Sequence, residues 1–281
     1  MSLTDISYIK EQMQRYDLNF KKKFGQNFLT NPSVVQRIAD EAPEGVLEIG
    51  PGLGVLTYEL CQRAKKVVAV EIDSSLLPLI IENLSEFDNI KIINNDIMKL
   101  NIKSLIEENF ADCASVGVCA NLPYYITTPV IMAILESKAE LESIVIMIQK
   151  EVVQRLCAKP GSADYAAITA AVSYYGRCEK LFDVSSGNFI PKPNVDSAVM
   201  KITLHKKPPV ACDEKTLMRV IKGAFAQRRK KLSNSLATEF TEIQKQQICN
   251  IIADCGFDAK IRGEALSLDD FALIAEKINS L

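Results

Sequence analysis

Short apolar runs alternate with amphipathic stretches through the first two hundred residues, and most of the runs close on a polar residue. Residues 46–49 lead into a glycine turn. Residues 67–72 carry Glu71 near their end, 90–96 end in Asp96, 116–121 end in Asn121, and 144–148 are apolar throughout. Each run is short enough for a strand and lacks the strict alternation of a half-buried one. Strands are therefore predicted there. A sixth is predicted over 166–174, running on past Gly176 to 181–184, and a late half-buried strand over 195–204, where apolar and polar positions alternate.

Between these runs the spacing turns helical. Ile6, Ile9, Met13 and Leu18 share one stripe over residues 4–18. Asn31 stands where an N-cap belongs and Pro32 at the first helical position, predicting a helix to about residue 40. Further helices are predicted over 76–84 and 128–136. Strands buried on both faces and separated by helices imply an α/β fold with a mainly parallel sheet. In such a sheet the ligand sits beyond the carboxyl ends of the strands, where Glu71, Asp96 and Asn121 are predicted. Lys206, Lys207, Pro208 and Pro209 then break the pattern. Beyond them it is helical over 217–226, 243–252 and 268–278, with Ser267 as a cap. Two domains are predicted: 1–207, including an N-terminal helical extension over 1–30, and a small all-helical domain over 208–281.

Composition narrows the chemistry. A net charge of -2 means that any nucleic-acid surface must be local. One histidine, and eight cysteines without a Cys-x-x-Cys pair, argue against a metal site and for free thiols in a reducing compartment. The amino terminus is polar and there is no uncharged apolar run of about 18 residues. A cytoplasmic protein outside the membrane is expected.

The organising stretch is Glu48-Ile49-Gly50-Pro51-Gly52-Leu53-Gly54. Alternating glycines after a strand let backbone turn sharply and let a ligand approach it closely. The dinucleotide fingerprint needs a glycine where Val55 or Thr57 stands, so a nicotinamide-cofactor loop is disfavoured. Glu71 at the end of the second strand is placed to accept from ribose hydroxyls, and Asp96 from an adenine amine. Asn121-Leu122-Pro123-Tyr124 is the most specific motif. The Asn121 side-chain oxygen and the Leu122 carbonyl can each accept one N–H of an aromatic amine, freeing its delocalised lone pair. Pro123 locks the backbone that aims the carbonyl, and Tyr124 can stack on an extruded base.

These motifs, with Phe24-Gly25-Gln26-Asn27-Phe28-Leu29, residues 187–199 around Phe189, and the basic segment 225–232, resemble the ribosomal RNA adenine N6,N6-dimethyltransferases. The likeness runs over about residues 20–275 and is nearest to the branch acting on 16S rRNA. It implies a class I S-adenosylmethionine-dependent methyltransferase fold, Rossmann-like with a seven-stranded sheet. It also implies a partner, 16S rRNA in the 30S subunit or its precursor, and a monomeric enzyme dimethylating two adjacent adenosines in a 3′-terminal hairpin. By position, Asn27 and Leu29 would edge the cofactor pocket, Gly50 would face its methionine portion, Glu71 its ribose and Asp96 its adenine. Asn121 would touch cofactor and target amine, and Phe189 would face Tyr124 across the target base. The chain departs from the family at Ser185-Ser186-Gly187-Asn188-Phe189, where Pro-Gly-Ala-Phe is more usual.

Six basic residues and no acid occupy 219–238. Lys222, Arg228, Arg229, Lys230 and Lys231 are expected to meet phosphates, as are Lys21, Lys22 and Lys23. Two other readings stay open on sequence: a 23S rRNA adenine N6-methyltransferase of the macrolide-resistance type, and a ribosome-assembly factor without catalysis.

Overall fold

The computed structural model describes residues 2–20, 25–227 and 229–281. In chain order the elements are α1 (Ile6–Arg15), β1 (Phe28–Leu29), α2 (Pro32–Ala39), β2 (Gly45–Ile49), α3 (Val55–Cys61), β3 (Lys66–Glu71), α4 (Leu77–Asn83), β4 (Ile90–Asn94), α5 (Ile102–Phe110), β5 (Val116–Asn121), α6 (Thr127–Glu136) and β6 (Ser143–Gln149). Then follow α7 (Lys150–Leu156), α8 (Ala167–Tyr175), β7 (Gly176–Val184), β8 (Phe189–Ile190), β9 (Ser197–Leu204), α9 (Glu214–Ala226), α10 (Leu232–Glu239), α11 (Lys245–Asp254) and α12 (Leu268–Asn279).

Seven strands form one sheet in the order β4-β3-β2-β5-β6-β9-β7. β4 to β6 are mutually parallel, and β9 runs antiparallel to β6. Burial follows position in the sheet. Every residue of β2 is buried, because helices cover both of its faces, while β4 at the edge has no buried residue. Consecutive parallel neighbours bring the carboxyl ends of β2, β3, β4 and β5 to one rim, and the order reverses between β2 and β5. A second, two-stranded ribbon pairs β1 with β8, setting Leu29 against Phe189 and Phe28 against Ile190.

Local chemistry explains the helix ends. The Asn31 side chain accepts from the Ser33 amide and Pro32 opens α2, so the helix begins where the sequence places it. Ser267 caps α12 through a reciprocal exchange with Asp270. α1 buries Ile9 and Met13 in the same apolar cluster as Val35, Leu60 and Val67.

The structure corrects two expectations. Residues 166–174 do not form a strand; Ala167–Tyr175 is helix α8, and the strand begins only at Gly176. A short apolar run does not by itself separate a buried helix from a buried strand, and four alanines tip it to helix. The division into units also differs from a single cut at 207. One compact unit is Met1–Val153 with Glu179–Leu204; the other is Gln154–Cys178 with His205–Leu281. The cause is packing: Tyr165, Ala170 and Tyr174 belong to the helical cluster built around Leu217, Val220, Phe240 and Phe271.

All eight cysteines are free. Among the described residues no group of three or more acidic, histidine or cysteine side chains is arranged to hold a metal ion, and no helix is long and apolar enough to cross a membrane.

Candidate active site

A cavity of about 280 Å³ opens at the rim where β2 to β5 end. The sequence-predicted residues Asn27, Leu29, Gly50, Glu71, Asp96, Asn121, Leu122, Pro123, Tyr124 and Phe189 all line it. They come from six separate stretches of the first unit.

The glycine turn forms one wall. Gly50, Gly52 and Gly54 have φ of 70°, 61° and 81°, a left-handed conformation that side chains rarely adopt. A Cβ at Gly50 would meet nothing within 4 Å, so this backbone is open to close approach from the cavity. Beside it Glu71 is 4% exposed. Its Oε2 accepts from the Gly52 amide at 3.1 Å and its Oε1 from the Asp73 amide at 2.8 Å. Burial raises its pKa, and these two amides pull it back down. Each oxygen keeps further lone-pair capacity for a hydroxyl donor. Asp73 accepts in turn from the Gln26 side chain at 3.0 Å, tying the 25–27 loop to the same corner. Asp96 has a local duty as well. Its Oδ1 accepts from the Met98 amide and so caps the turn Ile97–Lys99.

The opposite wall is the 121–125 loop. The Asn121 side chain donates from Nδ2 to the Asn27 carbonyl at 3.2 Å. That bond orients the amide and leaves Oδ1 as an acceptor. Gly25, with φ of 58°, lies under the loop: a Cβ there would come within 3.1 Å of Pro123 Cβ and 3.4 Å of Tyr125. Tyr124 is held through its hydroxyl, 3.0 Å from that of Ser197 on β9. Phe189 lines the cavity from β8 and is itself largely buried.

Sequence reasoning missed several supports. Glu48 opens the glycine motif and lines the cavity, yet it is 1% exposed; its Oε2 and the neighbouring Thr57 hydroxyl oxygen are both buried and without a hydrogen-bond partner. Desolvation, eased only in part by the dipole of the nearby Thr57 hydroxyl and reinforced by the Glu71 charge, pushes its pKa up to about 8. The folded protein thus keeps a proton that the unfolded chain, with an ordinary carboxylate near 4.5, releases. Unfolding sheds this proton, so its contribution makes stability fall as pH rises between those two values. Glu48→Gln should remove a slope on the order of 1 kcal/mol per pH unit over that window, read from urea unfolding of both proteins at several pH values. A parent and variant with parallel pH profiles would show that Glu48 is ionised in the fold. Gln26, Asp73 and Ser197 bond to partners distant in the chain, and no local pattern marks them.

Lys222, Arg229, Lys230 and Lys231 lie in the second unit. Lys222 is engaged by Glu239 at 3.1 Å, and Arg219 by Glu242 at 2.9 Å while it stacks over the Phe240 ring. Arg229, Lys230 and Lys231 are exposed between α9 and α10, and among the described residues none has an acid within ion-pair distance. Arg228, Lys21, Lys22 and Lys23 lie outside the described residues.

Comparison with known proteins agrees with this arrangement. The family model for ribosomal RNA adenine dimethylase matches residues 17–279. The ribosomal RNA small subunit methyltransferase A of Bacillus licheniformis is 43% identical over 97% of this chain and 96% of its own. Its counterpart in Anoxybacillus flavithermus is 44% identical over 96% and 94%. Among solved structures, a dimethyladenosine transferase from Plasmodium falciparum superposes with a TM-score of 0.75 at 23% identity, over 90% of this chain and 98% of that one. The 23S rRNA methyltransferase ErmE does so with 0.66 at 23%, over 90% and 99%; both likenesses speak for the fold. With nearly its whole length matched and its motif residues gathered on one rim, the chain belongs to the ribosomal RNA adenine dimethylase family.

Proposed function

We propose that this protein dimethylates the N6 amines of two adjacent adenosines in the 3′-terminal hairpin of 16S rRNA, in the small ribosomal subunit or its precursor. It would do so in the cytoplasm, as a monomer, with S-adenosylmethionine as donor. The observation that carries the reading is the Asn121 amide, fixed through Nδ2 to the Asn27 carbonyl so that Oδ1 is left to accept from an amine. The rest of the cavity fits the donor: a buried carboxylate at the end of β3, an open glycine backbone, and Asp96 beyond β4. S-adenosylmethionine, when bound, supplies a methyl group on a sulfonium that needs no further activation.

The protein's own groups then position and desolvate. Glu71 holds the ribose hydroxyls, Asp96 the adenine amine of the donor, Gly50 its methionine portion, and Asn27 and Leu29 close its edge. The target base lies between Tyr124 and Phe189. Asn121 Oδ1 and the Leu122 carbonyl would accept its two N–H bonds, which would free the nitrogen lone pair for the methyl group that the donor would supply. The alkylated nitrogen then releases a proton to solvent, so no base is needed before attack. Orientation supplies much of the rate.

Arg229, Lys230 and Lys231, with Arg228, Lys222 and Lys21 to Lys23, are assigned to rRNA phosphates. Replacing Arg229, Lys230 and Lys231 by glutamine should flatten the salt dependence of particle binding by about three units of log–log slope. Filter binding across a salt series measures it, and an unchanged slope would remove these three from the interface.

Methyl transfer from labelled S-adenosylmethionine to unmethylated small subunits, large subunits and naked rRNA, followed by digestion to nucleosides, tests the function. Label in N6,N6-dimethyladenosine from small subunits alone is the expected result. Label from large-subunit RNA would reassign the target, and tight binding to particles without label would reassign the protein to a non-catalytic role.

A further inference from the structure

The stretch 25–27 lies between two corners of the cavity. On one side Gln26 Nε2 donates to Asp73 Oδ2 at 3.0 Å, and the Asp73 amide donates to Glu71 Oε1 at 2.8 Å. On the other side the Asn27 carbonyl accepts from Asn121 Nδ2 at 3.2 Å, and Pro123 and Tyr125 lie against Gly25. Asn27 Nδ2 donates to the Gly25 carbonyl at 3.0 Å, so the three residues hold one local bend. Asp73 is a firm anchor for it: the side chain is buried, and its Oδ1 accepts from both the amide and the hydroxyl of Ser75.

Pairing with β8 fixes the chain from Phe28 onward. Gln26 fixes it on the other side, so the peptide that carries the Asn27 carbonyl is held between two supports. The group that orients Asn121 thus depends on a bond made at the corner of Glu71 and Asp73. A ribose on Glu71 loads that same corner. We propose that Gln26 is a positioning residue that links this corner to the Asn121 amide, so that a bound donor sets the group that receives the target amine; this rests on reading the cavity as a site for S-adenosylmethionine and an adenine.

The test uses Gln26→Leu, Gln26→Glu, and Gln26→Glu combined with Asp73→Asn. Leucine removes the bond at similar volume. Glutamate sets one carboxylate against another, and the double variant restores the bond with donor and acceptor exchanged. With unmethylated small subunits and saturating donor, single-turnover rates should fall about tenfold in both single variants. The double variant should return to within about threefold of the parent, because the two positions share one interaction. Affinity for S-adenosylhomocysteine should stay within about threefold throughout, since Glu71 keeps the Gly52 and Asp73 amides. Hydrogen exchange with and without S-adenosylhomocysteine reads the link without turnover. In the parent the ligand should slow exchange at Gly52 and Asp73 and over 124–126. In Gln26→Leu the slowing should persist at Gly52 and Asp73 and be lost over 124–126. An unchanged rate in Gln26→Leu, no recovery in the double variant, or slowing over 124–126 that is absent from the parent or survives in Gln26→Leu would each overturn the role of Gln26. A parent that binds no S-adenosylhomocysteine would instead overturn the functional reading on which the role depends.

Discussion

Asn121→Ala is expected to slow methyl transfer by about 10²- to 10³-fold, the usual cost of removing one preorganised partner of the reacting group. The loss falls on the chemical step. In the proposed reaction alanine takes away the acceptor for the target amine, and it also frees the Asn27 carbonyl that orients the amide. Asn121→Asp separates the two effects: it keeps an acceptor but sets a carboxylate against the Asn27 carbonyl, so an intermediate rate follows. Folding stability should change by only about 1 kcal/mol, because the single bond lost lies in a half-buried place. Single-turnover rates with saturating donor measure it. An Asn121→Ala protein retaining more than about a third of the parent rate would contradict the assignment of Oδ1 to the amine.

Glu71→Gln is expected to weaken donor binding by about a hundredfold and to leave the rate at saturation within about threefold. Both carboxylate oxygens already hold backbone amides, from Gly52 and Asp73. An amide side chain has one oxygen, so its nitrogen must confront one of those two N–H groups, donor against donor. The ribose then meets a neutral acceptor in place of a charged one, and the glycine turn loses one of its anchors. Hydrogen bonds to charged groups are worth roughly 1.5–3 kcal/mol each, which brackets the hundredfold effect. Calorimetric titration with S-adenosylhomocysteine reads binding without turnover. Equal affinity in parent and variant would place the ribose elsewhere. A fall in rate with unchanged affinity would move Glu71 to the reacting centre.

Much of this site was readable before any fold was known. Asn121-Leu122-Pro123-Tyr124, the alternating glycines and the strand-end acids are local patterns whose chemistry does not depend on remote partners. The helix that begins at Pro32 was readable for the same reason, since its cap and its first residue are adjacent. What stayed hidden depends on residues brought together from afar. Gln26 and Asp73 meet across 47 positions, and Tyr124 and Ser197 across 73. The acid-free window over 219–238 stops one residue short of Glu239, the partner of Lys222, so a count along the chain overstated the free charge. Residues 166–174 were misread because a short, largely apolar and alanine-rich run carries no clear period to tell helix from strand. The single cut at 207 failed because α8 packs among helices that come later in the chain.

The ribbon of β1 and β8 fixes when the protein becomes competent during its own synthesis. Its two strands pair Leu29 with Phe189, 160 positions apart, and Phe28 with Ile190, 162 apart. A chain leaving the ribosome amino end first can assemble β2 to β5 and the glycine turn while Phe189 is still unmade. β9, which carries Ser197 and pairs with the whole of β6, comes later still. Closing so long a loop is slow and is rewarded only when both partners are present. The wall of the cavity built on β2 to β5 is thus complete early, and the part that β8 and β9 supply comes last, so an unfinished chain lacks Phe189 and the Ser197 hydroxyl that holds Tyr124.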